Sequence, residues 1–137
     1  MKKRILLIIF LFISANSFSQ ISFSGYTENF IGVNYKFLKR ANIDFKVKTQ
    51  LQGSDIESEF SFYYKINKRE RINISLGVGV NFQPFLSYDL INGFLFPINF
   101  EYFPIKENKI LSIIIEPAIT YDGEIGTRNL FGIRLNF

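Results

Sequence analysis

The 137-residue sequence contains no cysteine, no histidine and no tryptophan. Without cysteine there is neither a disulfide framework nor a lipid-modified N-terminal cysteine. Without histidine the usual nucleophile and general-base pairs cannot be assembled. Long apolar runs are scarce as well: Ile5 to Ile13 is nine residues, far short of the roughly 20 that a membrane-crossing helix requires. What the chain has in quantity is aromatic residues, 18% of the total, with seventeen Phe and seven Tyr. Such a composition without long helical periodicity points to β-structure.

The opening stretch MKKRILLIIFLFISANSFSQ places Lys2, Lys3 and Arg4 before the apolar run and small polar residues after it. This is the layout of a secretory signal peptide. Residues 1–19 are expected to be that peptide, with cleavage after Ser19 leaving Gln20 first and residues 20–137 forming one domain. Removing 1–19 leaves thirteen Lys and Arg against twelve Asp and Glu, a net charge of +1. The basic pI then belongs largely to the targeting segment, and a nucleic-acid partner loses its electrostatic footprint.

From residue 20 onward the sequence alternates apolar and polar positions in segments separated by clusters of Asn, Gly, Asp, Lys and Pro, the pattern of strands and turns. Seven strands are expected at 30–38, 43–52, 58–66, 72–82, 92–102, 110–121 and 129–137, with 20–25 as a candidate first strand. In 72–82, Ile72, Ile74, Leu76, Val78, Val80 and Phe82 share one face, opposite Asn73, Ser75, Gly77, Gly79 and Asn81. In 92–102 the apolar side is equally clear, but Leu95 and Pro97 blur the polar one. Pro117 cannot donate to a ladder, so a bulge or break is expected in 110–121.

The connections sort by charge. Alternate ones carry Glu28, Asp55, Glu57, Asp89, Asp122 and Glu124 against Arg128. The others carry Lys39, Arg40, Lys68, Arg69, Arg71, Lys106 and Lys109 against Glu70 and Glu107. An up-and-down meander places every second connection at one end, so the sorting supports eight antiparallel strands with an acidic and a basic end. The expected fold class is therefore all-β, an up-and-down antiparallel barrel of eight strands.

Alternation alone does not say which face is inside. The apolar faces of the seven clear strands carry no charge, whereas Lys36, Asp44, Lys46, Lys48, Glu59, Lys65, Glu101, Glu116 and Arg134 all lie on the opposite face, among Gly, Ser and Asn. Five cations and four anions would neutralise one another across a narrow lumen, and a lone charge there would be costly. An eight-stranded barrel is just wide enough for side chains, so glycine at 32, 77, 79, 93 and 132 would make room for the long charged ones. Strands of 9 to 11 residues would also cross a bilayer at a tilt. The alternative is a soluble secreted or periplasmic barrel of lipocalin type, with the aromatic face turned inward around an apolar ligand.

A signal-like start, eight alternating segments and a final strand ending in Phe137 resemble the small outer-membrane β-barrels of the OmpA/OmpX type. The resemblance implies a transmembrane barrel in the outer membrane of a Gram-negative-type cell. It implies contact with outer-membrane lipid and lipopolysaccharide, and recognition by the barrel-assembly machinery through Phe131, Ile133, Leu135 and Phe137. It further implies basic turns in the periplasm and acidic loops outside. The loops are short for the family, which argues against an adhesin. Barrel enzymes of the outer membrane use a histidine that this chain lacks, so no enzymatic role, no cofactor and no metal site are expected. A Glu101 and Glu116 pair on neighbouring strands is the one carboxylate arrangement with any claim to acid and base work, and a structural Lys and Glu network explains it as well.

Overall fold

The computed structural model describes residues 20–49, 56–83 and 91–137. The signal-peptide reading of residues 1–19, the strand positions Gln50 and Leu51, and the loop acids Asp55 and Asp89 lie outside them. Eight antiparallel strands follow one another around a closed barrel in sequence order. They are β1 Ile21–Tyr26, β2 Phe30–Lys36, β3 Ala41–Lys48, β4 Ser58–Lys68, β5 Ile72–Phe82, β6 Ile91–Tyr102, β7 Leu111–Tyr121 and β8 Ile125–Asn136. A single 3₁₀ turn, Thr27–Asn29, joins β1 to β2.

The last strand closes the ring on the first, from Ser22 opposite Asn136 to Tyr26 opposite Gly132. Beyond that ladder the Phe137 amide donates to the Ile21 carbonyl at 3.0 Å, and the Phe23 and Phe137 rings meet edge to face at 6.1 Å. The stretch 20–25 is thus a strand, shifted by one residue.

Period-two alternation then sorts side chains to the two surfaces of the wall. Phe94, Phe96, Ile98, Phe100 and Tyr102 of β6 are exposed on the outside, as are Ile113, Ile115, Ile119 and Tyr121 of β7. The buried residues are mostly polar: Ser22, Asn34, Asp44, Lys46, Glu59, Ser61, Glu116 and others that point into the barrel. The protein is apolar outside and polar inside, the inverse of a water-soluble core. The alternative with an inward aromatic face is overturned by this geometry.

Several strand limits differ from the sequence expectation, each for a local reason. Strand β8 begins at Ile125 rather than 129, because Ile125, Gly126, Thr127 and Arg128 pair with Tyr121, Thr120, Ile119 and Ala118; the polar run that looked like loop is ladder. Strand β2 stops at Lys36, and β3 runs from Ala41 to Lys48 rather than over 43–52. Strand β1 has the six residues expected of it, whereas β2 and β3, at 7 and 8 residues, are shorter than the expected 9 to 11. Pro117 produces no bulge: it lies opposite Asn129 with the register unbroken. Both prolines instead leave gaps in the ladders with no change of register across them, Pro97 toward β5 and Pro117 toward β6, where a missing amide removes a rung. Register shifts occur elsewhere, at Lys65/Asn67 on β4 and opposite Asn81/Phe82 on β6.

The interior is also not wholly polar. Leu95, Ile114, Ala118 and Leu130 are buried in it, and the residues that blurred the polar face of β6 face inward. Nor do the inner glycines make room mainly for charged chains. At Gly77 a Cβ would come within 2.8 Å of both the Tyr63 ring and Pro97 Cγ, and at Gly132 it would meet the Tyr26 ring at 2.6 Å. The glycines accommodate two tyrosine rings, which in turn reach the charged groups. Gly77→Ala is therefore expected to cost about 1–3 kcal/mol through overpacking, read as a lower urea midpoint for the folded barrel in lipid vesicles. A midpoint unchanged from the parent would show that the ring has room to move.

Candidate functional site in the barrel interior

Seven charged side chains meet in the middle of the lumen, and they form one connected chain. Glu59 on β4 accepts from Arg128 Nη1 on β8 at 2.7 Å. The other terminal nitrogen of Arg128 donates to Glu116 Oε1 on β7 at 2.8 Å. The same carboxylate oxygen accepts from Lys46 Nζ on β3, also at 2.8 Å. Lys46 lies 3.6 Å from Asp44 and 4.0 Å from Glu59 and donates to the Tyr63 hydroxyl at 3.2 Å.

Asp44 then receives Arg134 Nη2 from β8 at 3.2 Å, and Arg134 Nη1 sits 3.6 Å from Glu101 on β6. The Tyr26 hydroxyl bridges this second cluster, accepting from Arg134 and donating to Asp44. Glu101 is finished by Ser112 Oγ at 2.8 Å and Asn73 Nδ2 at 3.2 Å. Asn136 continues the chain, donating to Ser112 and accepting from Ser22.

Alternation puts these residues on the inner face, and register decides which ones meet. Asp44 and Lys46 are two apart on β3 and so lie on the same side of the wall, with Lys46 opposite Glu59 across the β3–β4 ladder. Arg134 and Arg128 occupy inner positions of β8, six residues apart, and reach the two clusters separately. Three cations, Lys46, Arg128 and Arg134, face four carboxylates, Asp44, Glu59, Glu101 and Glu116. Burying charge is tolerable only when every charge is matched and hydrogen-bonded; each carboxylate here has at least one cationic partner.

Of the nine expected lumen charges, Asp44, Lys46, Glu59, Glu101, Glu116 and Arg134 are at most 4% exposed and belong to this network. Lys48 lies nearer the acidic end, 3.4 Å from Glu57. Lys36 and Lys65 are only partly buried and line the opening at the basic end. Phe131, Ile133, Leu135 and Phe137 are on the outer surface. Glu101 and Glu116 do not form a pair: each carboxylate is bound to a different arginine.

Sequence reasoning missed Arg128 and Tyr26, both assigned to connections, and it did not single out Tyr63; Glu57 lies in a connection as expected. The signal for Arg128 was available, since Thr127, Asn129 and Phe131 keep the alternation that puts Arg128 and Arg134 on one face. Among the described residues no group of three or more His, Cys, Asp or Glu could hold a metal ion, and no helix is long and apolar enough to cross a membrane.

The closed ring, the apolar exterior and the charged interior define the fold class: a closed eight-stranded up-and-down antiparallel β-barrel of the transmembrane type. The chain is similar in structure to the Yersinia pestis outer membrane protein Ail, solved in a phospholipid bilayer nanodisc, with a TM-score of 0.51 and 10% sequence identity over 86% of this chain and 97% of that one. At that identity the likeness is one of fold. No protein-family model matches the chain, and no curated protein matches its sequence.

Removing Lys46 would leave Asp44, Glu59 and Glu116 sharing one fewer cation. Lys46→Met is expected to destabilise the barrel by about 3–5 kcal/mol, and Lys46→Met with Glu116→Gln by less than the two single changes together. Urea unfolding of the four proteins in vesicles measures this coupling. Additive losses would mean that the two groups do not stabilise one another.

Proposed function

We infer that this chain is a small integral outer-membrane barrel with a structural or interaction role in the cell envelope, and that it is not an enzyme. The observation that carries this reading is the combination of a lipid-compatible exterior with a lumen crossed by the chain from Glu59 to Glu101. Such a plug supports a closed interior. Its members are spent on one another: Glu101 and Glu116, the best candidates for acid and base work, are engaged by arginine and by Ser112, Asn73 and Lys46.

In this reading the protein is exported by its N-terminal segment, 1–19, and its final strand serves the assembly machinery through Phe131, Ile133, Leu135 and Phe137. The basic end faces the periplasm and the acidic end faces outward. Envelope contacts are then made with lipid and lipopolysaccharide along the wall and with partners at the loops. The described turns are tight, such as the Thr27–Asn29 turn with Glu28 and Asn29 both at positive φ, and offer little surface for a large ligand.

The purified barrel reconstituted in a planar bilayer in potassium chloride is expected to show no stable conductance steps. Reproducible steps from the unaltered protein would show that the network does not close the lumen and would turn the reading toward a pore.

A further inference from the structure

The lumen is filled unevenly. On the basic side of the Arg134–Glu101 pair the interior opens into a vestibule of about 740 Å³, within the range of small-molecule sites. Lys36 and Lys65 enter it from β2 and β4, Lys39 and Lys109 from the turns, and Asn73 and Asn136 add two side-chain amides. Gln20 and Phe137 complete the lining, and no Asp or Glu side chain is among the described residues in it. Phe37, Leu38, Phe103 and Ile110 make up the apolar part of its wall.

The opposite mouth provides the contrast. There a cavity of about 340 Å³ is lined by Glu28, Glu57, Glu59 and Asp122 beside Lys48 and Arg128. Of the two mouths, the basic one is lined by charge of one sign.

A second feature points to the same place. The β4 register shift at Lys65/Asn67 inserts Ile66 as an extra residue, and bulges bend a strand and re-aim its side chains, often beside functional sites. Lys65 lines both the vestibule and an adjoining pocket of about 220 Å³ that it shares with Lys39, Arg40 and Ile66. Its amide donates to the Arg40 carbonyl at 2.7 Å, which fastens the basic β2–β3 turn beside the bulge. The cations are held in position: Lys36 and Lys65 each also engage groups of the protein, and Lys109 Nζ sits 5.6 Å from the centre of the Phe103 ring.

We propose that the basic mouth binds a phosphate-bearing anion, supplied either by a soluble phosphate compound or by the headgroup of an anionic phospholipid. Lysine ammonium groups bind phosphate as point charges. The apolar wall takes the carbon skeleton. This goes beyond the envelope role inferred above and depends neither on the orientation of the barrel nor on whether it conducts.

The test uses the folded barrel in maltoside micelles, with amide resonances followed during titration with inorganic pyrophosphate. Saturable shifts are expected around Asn73, Phe103 and Lys109 and not around Asp122. Lys36→Gln with Lys65→Gln should weaken binding by on the order of tenfold or more, the size of a lost charged hydrogen bond. Lys106→Gln, which removes an exposed pair with Glu70, should leave it unchanged. Should the double variant fail to show the heat-shifted gel band of a folded barrel, Lys39→Gln with Lys109→Gln, both in turns, replaces it with the same expectation. Repeating the spectra in phosphatidylcholine nanodiscs with and without phosphatidylglycerol distinguishes the sources. Shifts with pyrophosphate support a soluble ligand, and shifts at the same residues only with phosphatidylglycerol support a headgroup. Absence of saturable shifts under both conditions, or binding undiminished in the lysine variants, overturns the proposal.

Discussion

Everything in this structure depends on the pairing of the last strand with the first. A β-sheet in hydrocarbon cannot leave an edge, because each unsatisfied amide or carbonyl there costs several kcal/mol. The ladder from Ser22 and Asn136 to Tyr26 and Gly132 removes both edges at once. It is also among the shorter seams in the barrel, since β1 contributes six residues. The amide of Phe137 extends it by bonding to Ile21, and the Phe23–Phe137 ring contact covers it from outside.

Closure creates an inside, and the inside sets the second constraint. Eight strands leave a lumen of side-chain width, and this sequence places charge in its middle. It places four carboxylates and three cations, matched so that Arg128 joins β4 to β7, Arg134 joins β3 to β6, and Lys46 ties the two clusters. These contacts span residues far apart in sequence, such as Glu59 and Arg128, 69 positions apart. In lipid, where outward residues gain little from packing against one another, such cross-lumen bonds discriminate the native register from its neighbours. Slipping any strand by one residue would turn these charges toward hydrocarbon.

The strand count, the antiparallel order and the apolar exterior were legible because a period of two survives in every segment, and because the acidic and basic connections alternate. The inward position of Asp44, Lys46, Glu59, Glu101, Glu116 and Arg134 followed from the same period. What escaped was information that alternation does not carry. Arg128 sits in the run IGTRN, which has turn composition but pairs as ladder with Pro117 to Tyr121 of β7. Tyr26 was hidden by its place beside Gly25 and Thr27, although it is the ring that joins Arg134 to Asp44. Pro117 was expected to bulge or break its strand; the break is a gap in the ladder toward β6, and no bulge accompanies it. Among the described residues, the bulge at Ile66 fell where no proline or glycine marks an extra residue, and the one at Asn92 fell beside Gly93, a position read as the start of the strand.

The central claim is that the aromatic face meets lipid. The absence of tryptophan makes a direct measurement clean, because one introduced indole reports without background. Phe96→Trp places it on the outer face of β6, and Ile125→Trp places it at the exposed start of β8, beside the acidic turn. In vesicles of phosphatidylcholine brominated deep in the acyl chains, the account predicts strong quenching of the indole at position 96 and much weaker quenching at position 125. Emission from position 96 that is insensitive to the brominated lipid would contradict it, since the aromatic face would then not be in contact with the bilayer.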